Sequence, residues 1–166
     1  MGSFSIAENG LDAFYSDCAE IINSVSQDKV TLAVQWLPPM AWYFGGSVKI
    51  DIMNSVKDVK HISNKNINVV MDCSHLFMGK NFFGFDAMRI IEELEPFIKW
   101  FHISGASGID GEGNNFTTID EGEYQIIEKI IEADSVKIVE VWQGHLDNYY
   151  GFQNAIETLE REFNNG

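Results

Sequence analysis

The chain has 166 residues, 45% of them hydrophobic and 13% aromatic, which is one domain's worth of sequence and enough apolar material for a real core. Its 11 basic and 25 acidic residues leave a net charge of −14, a field that repels phosphate backbones and argues against general nucleic-acid binding. No run of about 18 apolar residues predicts a membrane span, no basic-then-apolar leader is visible, and Cys18 and Cys73 form no metal or redox motif, so the expected setting is the reducing cytoplasm.

In chain order, the first predicted element is a helix over 11–26, with Leu11, Phe14, Cys18, Ile21, Ile22 and Val25 on one face. "VTLAVQ" (30–35) reads as a strand, halted by Pro38 and Pro39, which have no N–H for a ladder. The following "QWLPPMAWYFGG" (35–46) reads as an aromatic loop, and a short helix is expected near 54–63. "INVVMD" (67–72) is β-branched without alternation, as a strand buried on both faces should be. A helix over 86–95 stops before Pro96. Next come a strand, "IKWFHIS" (98–104), and a glycine-rich loop, "GIDGEGNNF" (108–116), without the lysine of a phosphate-binding loop. A helix at 123–132, a strand at 136–141 and a helix at 152–163 complete the chain. Strands alternating with helices predict βα units around a parallel sheet in a single domain, 1–166.

Each predicted strand ends in a polar side chain: Gln35, Asp72, His102 and Glu140. Ligands of parallel α/β sheets bind at the carboxyl ends of the strands. One such residue has ordinary explanations as a cap or an ion pair. Four at equivalent positions converge if the sheet curves, and an amide oxygen, two carboxylates and an imidazole suit a divalent ion such as Mn²⁺, Mg²⁺, Co²⁺ or Zn²⁺.

The segments "VVMDCSH", "WFHISGASGIDGEG" and "IVEVWQGH" together resemble the second half of a xylose isomerase-like TIM barrel, the sugar phosphate isomerase/epimerase superfamily. That resemblance implies an α/β fold of (β/α)8 type represented by about four βα units, those of strands 5–8. It implies Gln35, Asp72, His102 and Glu140 as metal ligands, His75 as a substrate contact, and metal-dependent isomerisation or epimerisation of a sugar or sugar phosphate. Gln35 stands where the family has Glu; an amide can offer an oxygen but cannot serve as a base, which leaves Glu140 as the expected catalytic carboxylate. Trp36 and Trp42 are candidate stacking surfaces for the sugar, with Glu112 and His145 as further substrate contacts. Four strands are half of a barrel, so a homo-oligomer or a separate N-terminal half-barrel is the expected partner. Two other readings remain open: a metal-dependent hydrolase of the same superfamily, and a non-catalytic half-barrel that binds a sugar or a partner chain.

Overall fold

The computed structural model describes the backbone of all residues except 1, 5–7, 26–29, 44–45, 118 and 164–166, and the side chains of these except 2–4, 8–9 and 42–43. At its centre is a four-stranded, all-parallel sheet formed by β2 (Ala33–Gln35), β5 (Asn68–Asp72), β6 (Ile98–Ile103) and β9 (Val136–Val139), in the order β2-β5-β6-β9. Two small sheets flank it. One joins β1 (Gly2–Phe4), β4 (Gly46–Ile50) and β3 (Met40–Tyr43); the other is the hairpin of β7 (Gly105–Ser107) and β8 (Gly111–Asn114). The helices are α1 (Glu8–Val25), α2 (Val56–Ser63), α3 (Cys73–Phe83), α4 (Ala87–Leu94), α5 (Glu121–Glu132) and α6 (Leu146–Phe163), the last kinked at Asp147, Asn148 and Tyr149, whose backbone is left-handed. Among the described residues, no helix is long and apolar enough to cross a membrane.

Alternation along the central strands separates two faces. Val69, Met71, Phe101 and Ile103 point to the helical side and are essentially inaccessible. They join Val59 and Ile62 of α2, Ile91 and Leu94 of α4, and Ile127 and Ile130 of α5 in one core. The opposite face carries Val70, Trp100, Val136 and Ile138, of which Val136 is 54% and Ile138 44% exposed. At some 25 cal/mol per Å² of buried apolar surface, the helical face supplies most of the stability, and the other face stays more open.

Several expectations need correction. Part of the stretch 35–46, read as loop, is β3, which pairs with β4 in the register Met40↔Lys49 and Trp42↔Ser47. The glycine-rich loop is partly the β7–β8 hairpin. Helix α3 was not anticipated, because residues 73–79 are buried all round and a helix without a wet face lacks the amphipathic period that betrays one. Its ends nevertheless carry ordinary signals: Asp72 caps the start, and Gly84 closes it at φ 72° in the left-handed region that glycine tolerates. On α1, Ile21 and Val25 are exposed rather than inward. The buried stripe runs through Leu11, Tyr15, Ala19 and Ile22; Ile21 lies on its flank, and Val25 is the last residue of the helix.

Candidate functional site

The register of the sheet assembles the site. Gln35 pairs with Val70, Asp72 with His102, and His102 with Ile138. Glu140 lies one residue past β9, where its N–H donates to Ile103 O at 3.2 Å and continues the parallel pairing. Residues two apart on a strand share a face, so Gln35, Asp72, His102 and Glu140 all project from the same face, at the carboxyl end of the sheet. Ligating atoms of Asp72, His102 and Glu140 lie within 4.8 Å of one another.

Asp72 is buried and divides its two oxygens between two tasks. Oδ1 accepts from Ser74 N (2.9 Å), Ser74 Oγ (3.0 Å) and His75 N (3.2 Å), which caps α3. Oδ2 faces the sheet end, where it accepts from Gln35 Nε2 at 2.7 Å and lies 3.9 Å from His102 Nδ1. One carboxylate thus anchors the helix and still presents an oxygen to the cluster.

His102 Nδ1 is buried and makes no hydrogen bond of acceptable geometry, although the Glu140 carboxylate is in contact with it. A buried nitrogen left without a proper partner costs about 1–3 kcal/mol, and an imidazole nitrogen beside two carboxylates is a donor set suited to a divalent ion. Asp72, His102 and Glu140 therefore fit a metal. Gln35 stands beside them with its amide nitrogen turned to Asp72.

His75 is buried next to the cluster, and its two ring nitrogens meet Trp36 O (2.9 Å) and Glu112 Oε1 (3.0 Å). Both partners are acceptors, so the ring satisfies both only as the imidazolium. Burial alone would lower the His75 pKa; the hydrogen bond to Glu112, the Asp72 charge and the Trp36 carbonyl reverse this and raise it. The same hydrogen bond pulls Glu112 below its usual value against the opposing effect of burial. The His75–Glu112 pair thereby ties α3 to β8.

The remaining expected contacts fall differently. Trp36 is fully buried, with its ring edge-on to Phe85 at 6.4 Å between centroids, and it offers the site its carbonyl rather than its ring face. The side chain of Trp42 lies outside the described residues. His145 is exposed in the turn after β9 and does not line the cavity at Asp72. That cavity, of ≈ 130 Å³, is bounded by Asp72, Ser74, Ser104, Glu112, Glu140 and the segment 141–143. Ser74 and Ser104 were not foreseen; each directly follows or nearly follows a strand-end ligand, and that adjacency was the available signal. A larger cavity of ≈ 530 Å³, among Leu11, Ser55, Phe83 and Phe85, contains none of the four strand-end residues, and chemistry favours the smaller one.

A family model described as a xylose isomerase-like TIM barrel matches residues 2–162. A solved structure described as a D-tagatose 3-epimerase-like protein superposes with a TM-score of 0.57 at 16% sequence identity. The match covers 92% of this chain and 56% of that one, so the chain spans little more than half the length of that structure. No curated relative matches the chain significantly.

Proposed function

The chain belongs to the xylose isomerase-like TIM-barrel family, and from that premise we propose that it holds a divalent ion at Asp72, His102 and Glu140 and serves proton transfer in the isomerisation or epimerisation of a sugar. The observation that carries this reading is the convergence of three strand-end donors within 4.8 Å, one of them a buried imidazole nitrogen without a proper hydrogen bond. A divalent ion bound there supplies Lewis-acid polarisation of a carbonyl and its neighbouring hydroxyl.

The chain's own residues do the rest. Asp72, fixed through Oδ1 by the α3 N-terminus, holds its other oxygen at the sheet end. Gln35 keeps that oxygen in place by donating to it, and turning the amide would offer Gln35 Oε1 as a fourth ligand atom. Glu140 is the more exposed carboxylate of the cluster and is the group that takes a proton from the carbon beside the carbonyl and returns it to the carbonyl carbon, while the proton of the neighbouring hydroxyl passes to the carbonyl oxygen. Imidazolium His75 spends both N–H groups on Trp36 O and Glu112 and so holds the Glu112 carboxylate at the cavity wall, where it can accept from a sugar hydroxyl. Moving a proton between adjacent carbons needs one base on one side of the sugar, whereas inverting one carbon needs a group on each side. Because Gln35 cannot be the second base, isomerisation is favoured over epimerisation.

Barrel closure belongs to the same proposal. Four parallel strands are half of an eight-stranded barrel, and a second copy or a separate N-terminal set of strands would complete it. Support comes from the exposed Val136 and Ile138 on the face that carries the site. It comes also from β2 and β9, each paired on one side only among the described residues. Exchange of the C2 proton of aldoses and of the C1 protons of ketoses with deuterated water, followed by NMR with and without added Mn²⁺, tests the reading. Metal-dependent exchange that disappears in Glu140→Gln is expected; exchange in neither condition, or equal exchange in the variant, overturns it.

A further inference from the structure

Directly beyond Glu140, residues 141–151 form a segment that proton transfer does not use. Trp142 is 71%, Tyr149 61% and Tyr150 62% exposed, a concentration of aromatic surface that water disfavours. The segment is held firmly. Trp142 N donates to Gly113 O at 2.7 Å, Gly144 N to Val141 O at 3.0 Å and Leu146 N to Gln143 O at 3.0 Å. A Cβ on Gly113 would stand 2.9 Å from Trp142 N, so the β8 strand that carries Glu112 is seated directly on the aromatic segment.

A cleft of ≈ 310 Å³ opens here, with Trp142 and Tyr150 for apolar walls and Asn114, Asn115 and Gln143 for amides. It shares Gly113, Val141, Trp142 and Gln143 with the ≈ 130 Å³ cavity at Asp72 and Glu140, so the two adjoin. Among the described residues no Lys or Arg lines either one, whereas Asp72, Glu112, Glu140 and Asp147 do. On a chain of net charge −14, that lining repels phosphate and carboxylate groups.

We infer that this cleft is a second subsite, which takes an uncharged pyranose ring of a substrate larger than a monosaccharide. The apolar C–H face of such a ring stacks on Trp142 and Tyr150, and its hydroxyls meet the Asn115 and Gln143 amides, a pairing of surfaces that neither a hydrocarbon nor an anion would complete. The far end of the substrate reaches Glu140. That last element rests on the proton-transfer reading; ring binding does not.

Calorimetric titration of the metal-stripped full chain with maltose, cellobiose, lactose and N,N′-diacetylchitobiose, and with glucose 1-phosphate, separates the two. Saturable binding of at least one neutral disaccharide is expected, roughly tenfold weaker in Trp142→Ala and in Tyr150→Ala. Trp142→Phe should recover part of the loss. Glucose 1-phosphate should not bind. The inference falls if no neutral disaccharide binds up to about 10 mM, if both alanine variants bind undiminished, or if the phosphate binds as well as the neutral sugars. Binding without proton exchange in the wild type would leave the subsite standing and remove the isomerase reading.

Discussion

The two faces of the central sheet are built from the same four strands and do opposite things. On the helical face, Val69, Met71, Phe101 and Ile103 are packed out of reach of water. On the other, two residues of β9 are about half exposed, and the strand ends carry Gln35, Asp72, His102 and Glu140. Neighbouring residues of one strand therefore belong to stability and to chemistry in turn, and Asp72 belongs to both through its two oxygens.

Substitutions on the two faces can break that division. Phe101→Ala, which empties a fully enclosed site, should cost about 3–5 kcal/mol by chemical denaturation. Ile138→Asn on the open face should stay within about 0.5 kcal/mol in dilute solution. Equal costs would show that the faces are not different. A cost at Ile138 that grows with protein concentration would instead show the open face covered in an assembly.

The double duty of Asp72 separates by chemistry. Asp72→Ala removes the α3 cap and should cost about 1–2 kcal/mol. Asp72→Asn keeps an acceptor for Ser74 and His75 and should cost less. Both should weaken divalent-metal binding by more than about 100-fold. If Asp72→Asn proved as unstable as Asp72→Ala, the cap would not be the stabilising contact.

A smaller effect is expected where the hairpin rests on the aromatic segment. Gly113 sits at φ 69°, so Gly113→Ala should cost about 1–2 kcal/mol from backbone conformation, with the close approach to Trp142 adding to it. Thermal unfolding of the variant measures it.

The smallest expected effect is a pH dependence of the His75–Glu112 pair. Glu112 is depressed by His75, so its contribution is present above its unfolded value, about 4.3, and lost as pH falls through the lower folded value. His75 is raised, so its contribution is complete below about 6.5 and lost as pH rises through the higher folded value. The stability difference between wild type and Glu112→Gln should therefore be largest between about pH 4.3 and 6.5 and shrink on both sides. A difference constant from pH 4 to 9 would mean that the pair is not ionic.

Much of the scaffold was legible in the sequence. A continuous apolar run marked β5, as burial on both faces requires, and β-branched and aromatic residues between helix signals marked β6 and β9. The polar residue closing each run marked the site. What escaped was structure without a periodic signature. Residues 73–79 of helix α3 are enclosed on every side, and the hairpins β3–β4 and β7–β8 are short and glycine-rich, so their pairing is set by neighbours rather than by pattern. Trp36 escaped for a different reason: sequence shows that a tryptophan is near a site, but packing decided that its carbonyl, and not its ring, would face His75. The aromatic surface beside the site belongs instead to Trp142 and Tyr150.

The account turns on the cluster at the strand ends, and calorimetric titration of the metal-stripped chain with Mn²⁺ and Co²⁺ reads it most directly. Saturable binding at one site per chain, abolished in His102→Ala and in Asp72→Asn while both variants keep a cooperative unfolding transition, is the predicted result. Absence of binding in the wild type, or undiminished binding in both variants, would contradict it.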